Sequence, residues 1–397
     1  IRIVLKVHYA VVPKYGRSII GEICKTSNEN YNLLARLGFN KAKTPKTTIE
    51  KCLSGLINSF TFLYTVFLEN IGFENFFLMI IWIFFMINNF KQSSIYFCII
   101  YFFIYYFAWT FRSIKFNNFI RDAKLFKTIT WGIILKLYFQ ENIDVLSLVV
   151  SGLGYFLHLS SYIALGKASY FEKELTNKDT KFIANKFPYN LGIKSPMIIG
   201  NLIFLGGILL NKNFRKKNKY LIAFQVLGYI IQMCLEDYKI YFKDKKDKYK
   251  NVKKDFDKYH LKRGNIRLHL LTTITGFISF IAITKKVYEY GFDKTSSKVF
   301  ILFILTIFHF LYRYVITDSQ NFINMVVFPI AYYIPTTFPH LRYELLLVLS
   351  IVIQELSHYF FKEKTYMSTY NSPKKLLLHN LYLLPLVLDK FFESLKM

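Results

Sequence analysis

Five of the eight histidines, His260, His269, His309, His340 and His358, fall within about a hundred residues of one another, and His379 follows them. Most sit at or near the ends of apolar runs. Tyr259-His260, Asn265 and His269 form a Tyr-His-x4-Asn-x3-His pattern that leads into one such run. Asn265 and His269 are four residues apart and would share one face of a helix. A second run closes on Gln354-Glu355-Leu356-Ser357-His358, with Glu363 five residues beyond that histidine. Several neutral imidazoles and a carboxylate at one depth suit a divalent transition metal, iron in particular. His309 and His340 read as hydrogen-bonding residues at an interface. For His260, His269 and His358 that structural reading stands beside the metal one.

A second group of residues lies earlier in the chain. It comprises Gly152-Leu153-Gly154 inside an apolar run, Phe187-Pro188-Tyr189-Asn190, Ser195-Pro196-Met197 with Gly200, and the acidic pair Glu236-Asp237 at the end of the next run. Each has a structural explanation when taken singly. Glycine pairs in membrane helices most often serve close helix packing, prolines end loops, and acidic pairs at helix ends are solvated. A carboxylate inside a membrane is costly unless paired or functional, which makes Glu236 and Asp237 candidates for a site.

The elements that must position these residues are apolar. The chain is 53% hydrophobic and 19% aromatic, and its apolar residues come in runs rather than in amphipathic alternation. Stretches 76–87 and 95–109 carry no charge, and 145–165, 268–284, 299–311, 322–334 and 345–353 are similar. Since a span needs about 20 mostly apolar residues, roughly eight to ten membrane segments are expected. The fold expected is an all-α, polytopic transmembrane helical bundle, because the runs lack the alternation of a barrel. The formal net charge of +27 lies between the runs, as in loops that face anionic headgroups, and the runs themselves are expected to direct insertion. Nucleic-acid binding would need a basic face on a soluble fold, so no nucleic-acid partner is expected. Cys24, Cys52, Cys98 and Cys234 show no CxxC or paired spacing, which argues against structural disulfides and a zinc site. The chain divides into a polar and basic segment 1–56 of no assigned role, a membrane block 57–242, a charged linker or exposed helix over 243–258, and a membrane block 259–397. The segment 197–210 is compatible with a full crossing or with half of a helical hairpin.

The first block resembles the phosphatidylethanolamine N-methyltransferase family over about 95 residues. The likeness runs from Gly152-Leu153-Gly154 through 159–166, Phe187-Pro188-Tyr189-Asn190 and Pro196-Met197 with Gly200 to Glu236-Asp237. It implies S-adenosylmethionine as cofactor, bound by Gly152, Gly154, Glu236 and Asp237, with Tyr189, Asn190, Pro196 and Met197 in the substrate region. Glycines admit close backbone approach, and a carboxylate can hold ribose hydroxyls or an amino group. Methyl transfer needs alignment of a neutral amine and exclusion of water. The second block resembles the membrane 2-hydroxy-fatty-acid dioxygenase family through Tyr259-His260, Asn265, His269 and the span to Gly276, His358-Tyr359-Phe360-Phe361, Glu363 and the stretch 379–388. That likeness implies bound Fe2+ with His260, His269 and His358 as ligands, and shortening of 2-hydroxy fatty acids by one carbon. Both resemblances imply the endoplasmic reticulum membrane. The resulting expectation is a membrane enzyme that methylates phosphatidylethanolamine or its mono- and dimethyl forms and carries a second, iron-dependent block. The alternative from another class is a non-catalytic scaffold or lipid-binding protein. A transporter would predict inverted repeats and mid-span charges, and neither is visible.

Overall fold

The structure, a computed structural model, describes residues 73–111, 114–170, 186–193, 195–237, 248–292, 294–315, 317, 319–365 and 373–396. The segment 1–56 with Cys24 and Cys52 lies outside them, as does most of the loop 167–194. Every regular element among the described residues is helical, so the all-α expectation holds. Contacts divide the chain into 1–80 and 81–397, and nearly all described residues belong to the second unit.

The helices are α1 (Phe73–Asn88), α2 (Phe90–Phe111), α3 (Phe116–Phe139), α4 (Val145–Leu165), α5 (Pro196–Leu210) and α6 (Lys212–Asp237). They are followed by α7 (Lys248–Asp257), α8 (Arg263–Gly291) and α9 (Lys294–Val315). A helical turn Gln320–Phe322 widens to a π-turn Ile323–Val327 and continues as α10 (Phe328–Thr337), then α11 (Tyr343–Phe360) and α12 (Pro373–Lys396).

Four of these are long and apolar enough to cross a bilayer: Phe90–Thr110, Val145–Leu165, Arg263–Gly291 and Ser296–Val315. Asn75–Asn88 and Pro196–Leu210 are apolar but shorter. The eight to ten segments expected from the sequence are therefore not supported, for a reason of length and polarity. The run 322–334 is broken by the π-turn before the ten residues of α10. The run 345–353 belongs to an 18-residue helix that also holds Glu344, Gln354, Glu355 and His358. Helix α5 has 15 residues, about 22 Å at 1.5 Å each, short of a hydrocarbon core of about 30 Å. On α4 the side chains of Val145, Val149, Leu153, Phe156 and Ile163 point outward and are exposed, as a lipid-facing helix requires.

Helix α4 starts where the Asp144 carboxylate accepts from the Ser147 N–H, a serviceable N-cap, and stops at Gly166, whose φ is +54°. It packs antiparallel on α5 along small residues. A Cβ at Gly154 would lie 2.3 Å from the Phe204 nitrogen and 2.7 Å from the Gly200 oxygen, and one at Gly207 would lie 2.4 Å from the Ser151 nitrogen. With the backbones this close, Ser147 Oγ donates to the Gly207 carbonyl at 2.7 Å and Ser151 Oγ to Phe204 at 3.2 Å. Segment 197–210 is thus the returning arm of a hairpin with α4. Replacing Gly154 by Ala should force the pair apart and destabilise the protein by about 1–3 kcal/mol, the usual result of overpacking. A thermal melt of the full chain in detergent measures it, and an unchanged melting temperature would contradict the seam.

Helices from both sequence blocks share one core. Helix α2 packs on α3, α6 and α9; beside it Trp82 Nε1 donates to Thr306 Oγ1 of α9 at 3.1 Å, and Phe126 of α3 lies edge-on to Phe310 of α9. The buried Asp122 carboxylate of α3 faces Arg121 at 3.0 Å and Arg313 of α9 at 3.5 Å, and accepts from the Tyr314 hydroxyl. Helix α8 packs against α9, α10, α11 and α12. The described part of the charged stretch is α7, which buries Tyr249 and Phe256 against that group and ties to α12 through Tyr249 Oη–Asp389 at 2.5 Å and the Lys253–Glu393 pair.

Candidate metal centre

The three histidines singled out by the sequence meet. His260 precedes α8, His269 lies two turns inside it, and His358 sits in the last turn of α11. Their ring centroids are 4.6, 5.0 and 4.7 Å apart, and one nitrogen from each lies within 4.8 Å of the other two. All three residues are buried.

Each ring has one nitrogen with no hydrogen-bond partner: Nε2 of His260, Nε2 of His269 and Nδ1 of His358. Three buried imidazole nitrogens without a hydrogen-bond partner are costly. A cation there would satisfy all three, and the set fits Fe2+ or another imidazole-preferring divalent metal. The second nitrogens support this. His260 Nδ1 lies 2.9 Å from the Phe256 carbonyl, which fixes a proton on Nδ1 and leaves the Nε2 lone pair inward. His269 Nδ1 lies 2.9 Å from the Gln354 amide. The amide orientation that presents its oxygen to an Nδ1–H leaves Nε2 of His269 as the inward acceptor. Burial pulls His260 down to about 3 and also lowers His358, so both are neutral at physiological pH, the form in which an imidazole can bind a metal.

The local sequence folds this way for identifiable reasons. Helix α11 ends in a Schellman turn: the Glu363 N–H donates to the His358 carbonyl at 2.9 Å and Lys362 to Tyr359 at 3.1 Å, with Lys362 left-handed at φ +50°. This turn returns Glu363 to the start of α8. There its Oε1 accepts from the Leu261 and Lys262 backbone N–H groups at 2.8 and 2.6 Å, and Oε2 from Asn265 Nδ2 at 2.5 Å. Ser357 Oγ donates to Asn265 Oδ1 at 2.6 Å. Glu363 therefore serves as a clamp on the helix that carries His269, and Asn265 is the buried strut between the two. Gly264 admits the Phe361 ring, whose edge would be 2.4 Å from a Cβ there.

His309 is buried and pairs with Asn324 Oδ1 at 3.1 Å, while His340 is exposed, in keeping with structural roles. His379 of α12 is buried beside the cluster, 6.0 Å from the Phe256 ring that stacks on His260. Its position was visible only as one more histidine in the second block.

The first-block residues are placed differently. Gly154 is occupied by contact with α5, and Gly152 has open space around its α-carbon. Glu236 and Asp237 end α6, but their side chains lie outside the described residues. Tyr189 and Met197 line a cavity of about 150 Å³, while Pro196 is buried beside it at the start of α5 and Asn190 is exposed. Lys127, Tyr101, Tyr229, Asn201 and Gln232 complete much of that cavity. None of these five carries a motif signal, because they come from four helices and meet only on folding.

No protein-family model matches this chain, and no curated protein or solved structure is significantly similar to it.

Proposed function

We propose that this chain is a membrane lipid-modifying enzyme whose second block holds Fe2+ on His260, His269 and His358 and oxidises a fatty acyl substrate. The observation that carries the reading is the convergence of three buried imidazoles, each with an unpartnered nitrogen. The resemblance of the same residues to the 2-hydroxy-fatty-acid dioxygenase family gives the substrate class. Bound iron would supply dioxygen activation. The chain's own residues orient the ligand rings through the Phe256 carbonyl and Gln354, and hold α8 and α11 together through Glu363 and Asn265. Burial of all three histidines keeps bulk water from the centre. The test is anaerobic reconstitution of the full chain with Fe2+ in detergent, followed by dioxygen and a 2-hydroxy fatty acid. The expected product is the acid one carbon shorter. Failure to bind iron, or binding with no consumption of the hydroxy acid, sinks the reading.

A second reading, S-adenosylmethionine-dependent methylation of phosphatidylethanolamine or its mono- and dimethyl forms, is supported by one observation. The Tyr189–Met197 region of the methyltransferase resemblance borders the cavity, and α6, which ends on Glu236-Asp237, contributes Gln232 to the same wall. Residence in the endoplasmic reticulum belongs to this proposal too. Radiolabelled methyl transfer to lipid by membranes containing the chain is its test. If Glu236→Ala labels lipid at the parent rate, the cofactor assignment fails. The non-catalytic scaffold alternative is favoured by no such observation.

A further inference from the structure

Helix α8 carries no charge between Leu268 and Thr284, with Arg263 and Arg267 before this stretch and Lys285 and Lys286 after it. In a spanning helix such cations mark the two headgroup layers, so the uncharged stretch fills the hydrocarbon. His269 then lies at one boundary of the membrane rather than at its middle. Helix α11 follows α8 across the same depth in the opposite direction. Lys286 meets Glu344 at one end, Gly276 approaches Ser350 midway, and Asn265 meets Ser357 at the histidine end. Ser350, Ser357 and His358 are buried, and Gln354 reaches His269. The outward stripe Leu345, Val348, Leu349, Val352 and Leu356 is exposed and wholly apolar, as contact with acyl chains requires. Pairing with α8 thus takes the polar residues of α11 off its lipid side.

The two ends of this helix pair differ in charge. At the far end Lys285 pairs with Glu289 at 2.8 Å and Lys286 with Glu344 at 2.9 Å. At the histidine end Lys262, Arg263, Arg267, Lys362 and Lys364 are exposed. None of the five has a carboxylate partner among the described residues. The carboxylates on this end of α11 are Glu355, half-buried one turn before His358, and Glu363, engaged by Asn265 and two backbone N–H groups. Leu261, Tyr359 and Phe360 stand among the cations and are 71, 81 and 72% exposed. Aromatic and aliphatic side chains interleaved with unpaired cations suit the layer between acyl chains and anionic headgroups. A soluble acidic partner would meet the cations but leave uncovered the apolar stripe that runs from Leu356 into Phe360.

We infer that this end of α8 and α11 is a contact surface for an anionic membrane leaflet, with the outward face of α11 in the hydrocarbon and the three imidazoles at headgroup depth. The inference concerns lipid contact alone and depends on neither proposed activity.

Tryptophan reporters in the full chain, reconstituted in bilayers, test it. Phe360→Trp and Val352→Trp change exposed positions, and the parent's own tryptophan signal is subtracted. The quenchers are phosphatidylglycerol and phosphatidylcholine brominated near the headgroup, and acrylamide from the water. Brominated phosphatidylglycerol should quench Phe360→Trp at least about twofold more than brominated phosphatidylcholine. Val352→Trp should be quenched alike by both lipids and be shielded from acrylamide. Changing Lys262, Arg263, Arg267 and Lys364 together to Gln should abolish the preference at Phe360→Trp; Lys362 is left alone because its turn holds Glu363. Should that variant fail to fold, high salt decides with the parent charges in place, since screening should also remove the preference. Equal quenching by the two lipids at Phe360→Trp, or a preference that survives both charge removal and salt, would overturn the anionic surface. Quenching of Val352→Trp by acrylamide and not by lipid would overturn the placement of α11 and leave this face to a soluble partner.

Discussion

His269→Ala should strip the metal from this protein, leaving below about a tenth of the parent's content after reconstitution with Fe2+ and desalting. The size of the effect follows from the number of ligands. Three imidazoles form the whole described donor set, and even changes one shell further out typically lower metal affinity 10–100-fold. The substitution also opens a void where three rings meet and leaves the Gln354 amide without its imidazole partner at 2.9 Å. His309→Ala gives the contrast, because that ring is bonded to Asn324 and stands apart from the trio. It should keep the parent's iron. Inductively coupled plasma mass spectrometry on both variants reads the result. Retention of iron by His269→Ala would remove the centre from the protein, and with it the oxidative reading.

Glu363→Ala should destabilise the protein and loosen the metal centre together. One carboxylate accepts from two backbone N–H groups at the start of α8 and from Asn265. Hydrogen bonds to a charged group contribute more than neutral ones, and N-cap losses alone cost about 0.5–2 kcal/mol. Because Glu363 is half-buried, solvent replaces some of what is lost, and about 1–2 kcal/mol of destabilisation is expected. The second consequence is specific to the site. Freed from Glu363, the strut Asn265 loosens between α8 and α11, so the alignment of His269 with His358 should suffer. Weaker iron binding, by about tenfold, is expected in Glu363→Ala at temperatures where the protein is still folded. Glu363→Gln retains one acceptor and should fall between the two. A Glu363→Ala protein with parental melting temperature and iron affinity would show that the clamp is incidental.

The spacing of this glutamate shows what a one-dimensional reading misses. Read as a sequence, a carboxylate five residues after His358 belongs to the chemistry of the metal. In the structure, the left-handed Lys362 folds the chain back on itself and sends Glu363 to a helix N-terminus. Turn geometry decides this, and a lysine in place of the usual glycine gives no local sign of it. Gly154 is a second instance. Its neighbours in sequence allow a cofactor or a packing role, whereas the approach of Phe204 and Gly200 exists only once α4 and α5 are paired.

Apolar runs without alternation determined by themselves that the described chain is helical, since hydrocarbon leaves backbone groups no partner but their own helix. The type and spacing of His260, Asn265 and His269 likewise placed two imidazoles at the mouth of one helix. Tertiary structure alone decided how many runs were long enough to span, because a π-turn, a proline or a polar end shortens a helix without erasing its hydrophobicity. It also decided that His358 completes the trio from nearly ninety residues away, and that Lys127, Asn201 and Tyr229 face one cavity. Such meetings depend on which helix faces pack together, and that is set by the sum of many contacts rather than by any one residue's neighbours.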